Sequence, residues 1–217
     1  MHLLKQLAYR LIAAARVFRE KGPSAGLVEL GKTVWRVFYQ RAKYIAMAKE
    51  LSKQAFPATG GPDLTIRRAT TREEVLALSP IADLADMARF QRMFDQGSVP
   101  LIALQSGQTV GYGWISHRID RRTNRLQPPL GPGDACLHDL FVSPAYRGRG
   151  IAQALVARRL QFLREEGYTR SIIAVAQGNA PALRVAEKAG YRPVGEMSHT
   201  RVLFWERLTY KAIPAEA

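Results

Sequence analysis

Hydrophobic and polar positions change their period along this chain of 217 residues. Near the start, Leu4, Leu7, Leu11, Ala14 and Phe18 recur at three- and four-residue spacing, with Lys5, Arg16 and Arg19 on one side of the stripe and Arg10 on the other. That spacing predicts an amphipathic helix. Gly22-Pro23-Ser24-Ala25-Gly26 interrupts it, and Ser24 is placed to cap a second helix. There Leu27, Leu30, Val34, Phe38 and Ile45 share one face, with Lys32, Arg36 and Lys43 opposite. The pattern predicts a basic amphipathic helical hairpin over residues 1–56. Ala-Phe-Pro-Ala-Thr-Gly-Gly-Pro at 55–62 carries no charge and predicts a linker at 57–62, with the main domain at 63–217.

From Asp63 onward the periods alternate. Leu64-Thr65-Ile66 reads as a strand, Thr71-Arg72-Glu73-Glu74 as a capped helix start, and Ala82 to Phe94 as a second helical stretch. Leu101 to Leu104 and Val110 to Ser116, joined through Ser106-Gly107-Gln108, read as a hairpin. His117 to Gly133 is irregular and basic, with Arg118, Arg121, Arg122 and Arg125. Then follow a strand over Cys136 to Val142, a helix from about Gly150 to Glu166, a strand over Ser171 to Ala176, a helix over Ala180 to Ala189 and two further strands. This order predicts an α/β domain whose mixed sheet has helices on both faces.

Composition sharpens the picture at one point. The chain carries 32 Lys+Arg against 18 Asp+Glu, a net charge of +14, which favours an anionic partner. Residues 1–56 hold 11 Lys+Arg and 3 acids, so a quarter of the chain carries more than half of the excess. The hairpin either packs its apolar stripes on the main domain or a second subunit, as in a homodimer, or lies on an anionic membrane surface or protein partner. Nucleic acid has no supporting motif. The first 19 residues also have the Arg-rich, acid-free character of a transit peptide, though without Ser.

No apolar run approaches the roughly 20 residues that a bilayer span needs. The single cysteine, Cys136, excludes an internal disulfide and fits a reducing, cytoplasmic setting, peripheral on the inner face of the membrane if the hairpin binds there. The histidines at 2, 117, 138 and 199 have no metal-ligand spacing, so no metal is expected.

The chemistry concentrates in Leu140-Phe141-Val142-Ser143-Pro144-Ala145-Tyr146-Arg147-Gly148-Arg149-Gly150-Ile151-Ala152. A strand ends, a glycine-rich turn follows and a helix begins, so successive N–H groups can form a concave site for anionic oxygen. The same turn also serves tight packing elsewhere. It is neither a dinucleotide nor a P-loop pattern.

Arg147-x-x-Gly150-x-Ala152 after that strand resembles the acetyl-CoA signature [Q/R]-x-x-G-x-[G/A] of the GCN5-related N-acetyltransferases (GNAT family). Asn179-Ala180-Pro181-Ala182 followed by Glu187-Lys188-Ala189-Gly190-Tyr191 is similar to a second motif of that family. The resemblance covers about residues 63–210 and implies a GNAT-like, largely antiparallel mixed sheet flanked by helices. It also implies that acetyl-CoA is the acyl donor. Backbone groups of Leu140 and Val142 would then pair with the pantetheine arm, and N–H groups from Arg147, Gly148, Arg149, Gly150, Ile151 and Ala152 would hold the pyrophosphate. Asn179 would sit beside the pantetheine or sulfur, and Lys188 either faces CoA phosphate or is a solvated helix charge.

Acyl transfer to an amine needs the uncharged nucleophile. For a lysine-like amine deprotonation at neutral pH costs about 4.6 kcal/mol, and for an α-amine about 1.4 kcal/mol. The base is Asp139, His138 or a water chain; adjacent strand residues are expected on opposite faces, so that only one looks into the cleft. Relatives often carry a tyrosine as general acid where this chain has Ala186, leaving Tyr191, Tyr210 or water for the thiolate. The leading expectation is an N-acetyltransferase acting in a ternary complex on a primary amine of a small molecule, such as an amino sugar, or of a peptide. The alternative is a non-catalytic acetyl-CoA-binding module docked through residues 1–56.

Overall fold

The computed structural model describes residues 39–51, 63–118, 127–202 and 205–214. The hairpin positions from Leu4 to Phe38, the linker at 57–62 and most of the Arg118–Arg125 loop lie outside these residues. The strands are β1 (Tyr39–Glu50), β2 (Leu64–Arg68), β3 (Val99–Gln105), β4 (Gln108–Ser116), β5 (Asp134–Val142), β6 (Arg170–Ala176), β7 (Arg192–Val202) and β8 (Trp205–Ala212). The helices are α1 (Arg72–Leu76), α2 (Leu84–Asp95), α3 (Ile151–Glu165) and α4 (Ala180–Lys188). One sheet runs in the order β2-β3-β4-β5-β6-β1-β7-β8. The β2–β3, β3–β4, β4–β5 and β1–β6 pairs are antiparallel, and β5–β6 is parallel. The expected α/β fold with a mostly antiparallel mixed sheet is thus present.

One expectation is corrected. Residues 39–50, read as the end of a helical hairpin, are the strand β1, so Ile45 belongs to no helical stripe. Alanine, lysine and methionine are good helix formers, but intrinsic propensity is a weak prior that tertiary context overrides. Here the backbone pairs with β6 from Tyr44↔Ala176 to Glu50↔Arg170, and Ala46, Met47 and Ala48 are buried in succession. Ladder bonds and burial together outweigh that propensity.

The described residues fall into two units. The smaller holds residues 39–43, 198–202 and 205–209, where Thr209 Oγ1 donates to the Ser198 carbonyl at 3.4 Å. The larger holds 44–197 and 210–214, and all of the site residues below belong to it.

In the larger unit, adjacent strand residues feed opposite cores. Leu101 joins Val110, Ile115 and Leu137 against Leu155, Leu160 and Leu163 of α3. Its neighbour Ile102 joins Tyr112 and Trp114 against Val75 of α1, Leu78 just after it, and Phe90 and Met93 of α2. The Phe90 ring lies 5.1 Å from Tyr112 and 5.2 Å from Trp114 between centroids. The start of α1 follows its sequence signal: Thr71 Oγ1 accepts from the Glu74 N–H, and Glu74 returns a carboxylate oxygen to the Thr71 N–H, both at 3.3 Å.

Candidate active site

Strands β5 and β6 pair over three positions, Asp134↔Arg170, Ala135↔Ser171 and Cys136↔Ile172. The foot of this pair is pinned by a fork: Arg170 donates from Nε and Nη2 to the two Asp134 oxygens, each at 2.7 Å, and the Gly131 N–H adds a third bond at 2.7 Å. Beyond Cys136 a cavity of about 310 Å³ opens between the strands. Its walls include Leu137 to Leu140 of β5, Ile173 to Ala176 of β6, Tyr44 of β1, and residues of α3 and α4. Splaying two parallel strands frees their facing backbone groups, which must then find other partners.

The β5 wall is bent. Pairing with β4 shifts register between Tyr112 and Trp114, and Asp139 takes a left-handed φ of 49°. Aspartate tolerates that conformation better than most residues, at a cost of about 1 kcal/mol or more. The bend corrects the expectation that His138 and Asp139 face opposite sides. Strict alternation holds only for a regular strand. Here His138 Nδ1 lies 2.9 Å from Asp139 Oδ2, and both residues line the cavity.

Arg159 of α3 fills the bend. It is 2% exposed, and its Nη1 donates to the carbonyls of Trp114 (3.4 Å) and His138 (3.3 Å), the paired residues next to the register shift. Its Nε donates to Leu155 O at 3.3 Å. Gly113 makes this possible, because a Cβ there would lie 2.8 Å from Arg159 Cζ. Burial pushes the Arg159 pKa down to about 10, so the side chain remains a cation.

A polar chain crosses the other face. Arg89 of α2 donates from Nη1 to Asp139 Oδ2 at 2.6 Å and from Nη2 to Oδ1 at 3.2 Å. His138 Nε2 meets Ser116 Oγ at 2.7 Å, and Ser116 Oγ meets Ser98 Oγ at 2.8 Å. Burial of Asp139 raises its pKa, but hydrogen bonds from His138 and Arg89 outweigh this and hold it well below the carboxylate range. An ionised carboxylate only accepts, so Nδ1 of His138 carries the hydrogen and the lone pair of the neutral ring sits on Nε2.

The glycine-rich turn takes the geometry its residue types allow. Gly148 and Gly150 have φ of 78° and 79°, and nothing lies within 4 Å of where a Cβ would stand. Gly150 precedes the first turn of α3 and no side chain caps it, so the amides of Ile151 and Ala152 open outward. Arg147 Nε donates to Val142 O at 3.1 Å, and the Arg149 guanidinium stands 5.2 Å from the Tyr146 ring centroid. Leu140 lines the cavity on the side toward this turn.

Asn179 lines the cavity as well, but its side chain caps α4 by accepting the Ala182 N–H at 3.2 Å. Lys188 is exposed in the last turn of α4. Tyr191 is 1% exposed and its hydroxyl lies 2.6 Å from Ser171 Oγ; burial drives its pKa far up. Tyr210 donates instead to Val194 O at 3.2 Å. Cys136 is buried, which pushes its thiol up to about 12 and leaves it inert.

Four participants escape the sequence reading: Tyr44, Arg89, Arg159 and the Ser98–Ser116 pair. Arg159 alone left a signal, because it stands at the i+4 position between Leu155 and Leu163 on the apolar face of α3. Tyr44 and the serines reach the site only through strand pairing.

A family model described as the acetyltransferase (GNAT) family matches residues 65–191. N-acetyltransferase 8 of Rattus norvegicus is 33% identical over 124 residues, 57% of this chain and 51% of that protein. N-acetylaspartate synthetase of Rattus norvegicus is 26% identical over 138 residues, 63% of this chain and 42% of that protein. The chain thus spans about half or less of the length of these relatives. Among solved structures, a GCN5-related N-acetyltransferase from Sphaerobacter thermophilus superposes with a TM-score of 0.52 at 19% identity, over 85% of this chain and 56% of that one. Another from Kribbella flavida gives 0.51 at 15% identity, over 80% and 63%. At such identities the likeness is one of fold.

Proposed function

Because the chain belongs to the GNAT acetyltransferase family, we propose that it transfers an acetyl group from acetyl-CoA to a primary amine, with His138 as the base that Asp139 orients. The observation that carries this reading is the Arg89–Asp139–His138–Ser116 chain, whose two middle members, Asp139 and His138, stand on the wall of the cavity between β5 and β6.

The residues present suit the donor. The uncapped start of α3 behind Gly148 and Gly150 offers outward N–H groups and open space to a pyrophosphate, with Arg147 and Arg149 adding positive charge. Leu140 and Val142 supply strand backbone beside the cavity for the amide-bearing arm. Acetyl-CoA supplies the activated thioester; the chain's own groups position it and handle the protons.

His138, which lines the cavity, takes the proton at Nε2, the nitrogen whose position the Ser116 hydroxyl fixes at 2.7 Å. Asp139 beside Nδ1 fixes the tautomer and stabilises the imidazolium that forms. Asp139 itself is a poor store for the proton, since Arg89 and His138 both favour its ionised form. The amine nitrogen then bonds the thioester carbon, and the carbon–sulfur bond breaks with its electron pair going to sulfur.

The acceptor is proposed only as a class. The names of the relatives point to amino groups, and the screen that decides is CoA-thiol release with acetyl-CoA against amino acids, amino sugars, polyamines and peptides. We expect release with at least one amine and loss of most of it in His138→Gln, with CoA still bound in calorimetry. Tight CoA binding without turnover on any amine would overturn the reading in favour of a binding module.

A further inference from the structure

Expulsion of a thiolate into a largely apolar cavity leaves a charge that must be neutralised or solvated. Of the polar side chains on the cavity wall, five are accounted for: Asp139 is ionised, His138 is the base, Arg159 Nη1 is spent on two carbonyls, Asn179 caps α4, and the Tyr191 hydroxyl is held by Ser171. The sixth is Tyr44. Its hydroxyl makes no hydrogen bond to any described residue, and its ring stands on β1 opposite Ala176.

We propose that Tyr44 is the general acid of the transfer, delivering its phenolic proton to the departing sulfur from a strand outside the segment that the family model matches. That segment begins at residue 65, whereas β1 pairs beside β6 and forms the wall across from His138 and Asp139. Small residues leave the space for it: Ala174 and Ala176 on β6, and Ala182 and Ala186 on α4, share the wall with Tyr44. Ala186 is 3% exposed, so the helix brings a methyl group and no acid to this point. Burial raises the Tyr44 pKa, which keeps the phenol protonated through the neutral range.

The step balances. The amine proton goes to His138 Nε2, the nitrogen–carbon bond forms, the carbon–sulfur bond breaks, and the Tyr44 proton forms the S–H bond of free CoA. Solvent restores the phenol and takes the proton from the imidazolium.

The inference rests on the transferase reading, and the test separates the two. In full-length Tyr44→Phe, kcat for the best amine is expected to fall about 100-fold, the scale of one general acid. CoA affinity in calorimetry and the melting temperature stay at wild-type values, because only an unbonded hydroxyl is lost. The solvent deuterium isotope effect on kcat drops toward unity, which a packing role leaves untouched. A Tyr44→Phe enzyme with wild-type kcat, or one whose slower turnover merely tracks weaker CoA binding, overturns the Tyr44 assignment while wild-type turnover leaves the transfer reading intact. A wild type that releases no CoA with any amine overturns the transfer reading, and Tyr44 as its acid falls with it.

Discussion

Substituting Gly113→Ala is the sharpest test of the bend that shapes this site. Nothing in the Gly113 backbone forbids alanine, since its φ lies outside the left-handed region, so the effect is purely one of space. The new methyl group would sit 2.8 Å from Arg159 Cζ and 2.9 Å from its Nε and Nη1. The guanidinium is the far end of a flexible chain, but it is 2% exposed and tied to three carbonyls, so moving it aside breaks those bonds. Overpacking of a buried position costs about 1–3 kcal/mol. Two carbonyl bonds at 3.3–3.4 Å would also be lost, worth together about 1 kcal/mol at that length. The expected destabilisation is about 2–4 kcal/mol, or a fall in Tm of about 5–12 °C for a domain of this size. Denaturant titration of Gly113→Ala, Arg159→Met and the double variant closes a cycle. If the methyl group acts through Arg159, it costs under about 1 kcal/mol once the guanidinium is gone. An equal cost in both backgrounds refutes the argument, because the strain would then lie elsewhere in β4.

Two further predictions follow from the same contacts. Asp139→Asn keeps the shape of the bend but cannot hold the His138 ring in one tautomer, so kcat is expected to fall by about 100-fold or more; unchanged kcat across the pH profile would show that the carboxylate has no part in proton transfer. Asp134 governs acid stability: burial raises its pKa, but the Arg170 fork and the Gly131 N–H outweigh this and hold it below its unfolded value. The sign is therefore stabilising above about pH 4, with the contribution lost as pH falls through the depressed folded value. Asp134→Asn should cost about 2 kcal/mol at pH 7, reduced from a fully buried pair because Arg170 is 40% exposed, and should flatten the acid limb of a stability-against-pH curve. A variant that keeps the wild-type slope below pH 4 assigns that slope to other carboxylates.

By itself the sequence determined the elements whose signals are local. Thr71 with Glu74 announced α1, the Gly148 and Gly150 turn announced α3, and alternating periods announced the α/β domain, because caps, turns and periodicity are written within a few residues of chain. The glycine-rich turn proposed to hold the donor is local in the same sense, and its left-handed glycines were legible from the stretch around Arg147 to Ala152. Tertiary structure decided the rest. Tyr39–Glu50 carries residues compatible with a helix, yet it is a strand in the sheet, with Tyr44–Glu50 paired to β6. His138 and Asp139 share a side only because Arg159, 20 residues further along the chain, wedges the bend that Gly113 leaves room for. The proposed base, the carboxylate proposed to orient it and the proposed acid are set by pairing across the sheet, a relation between distant residues that no local pattern records.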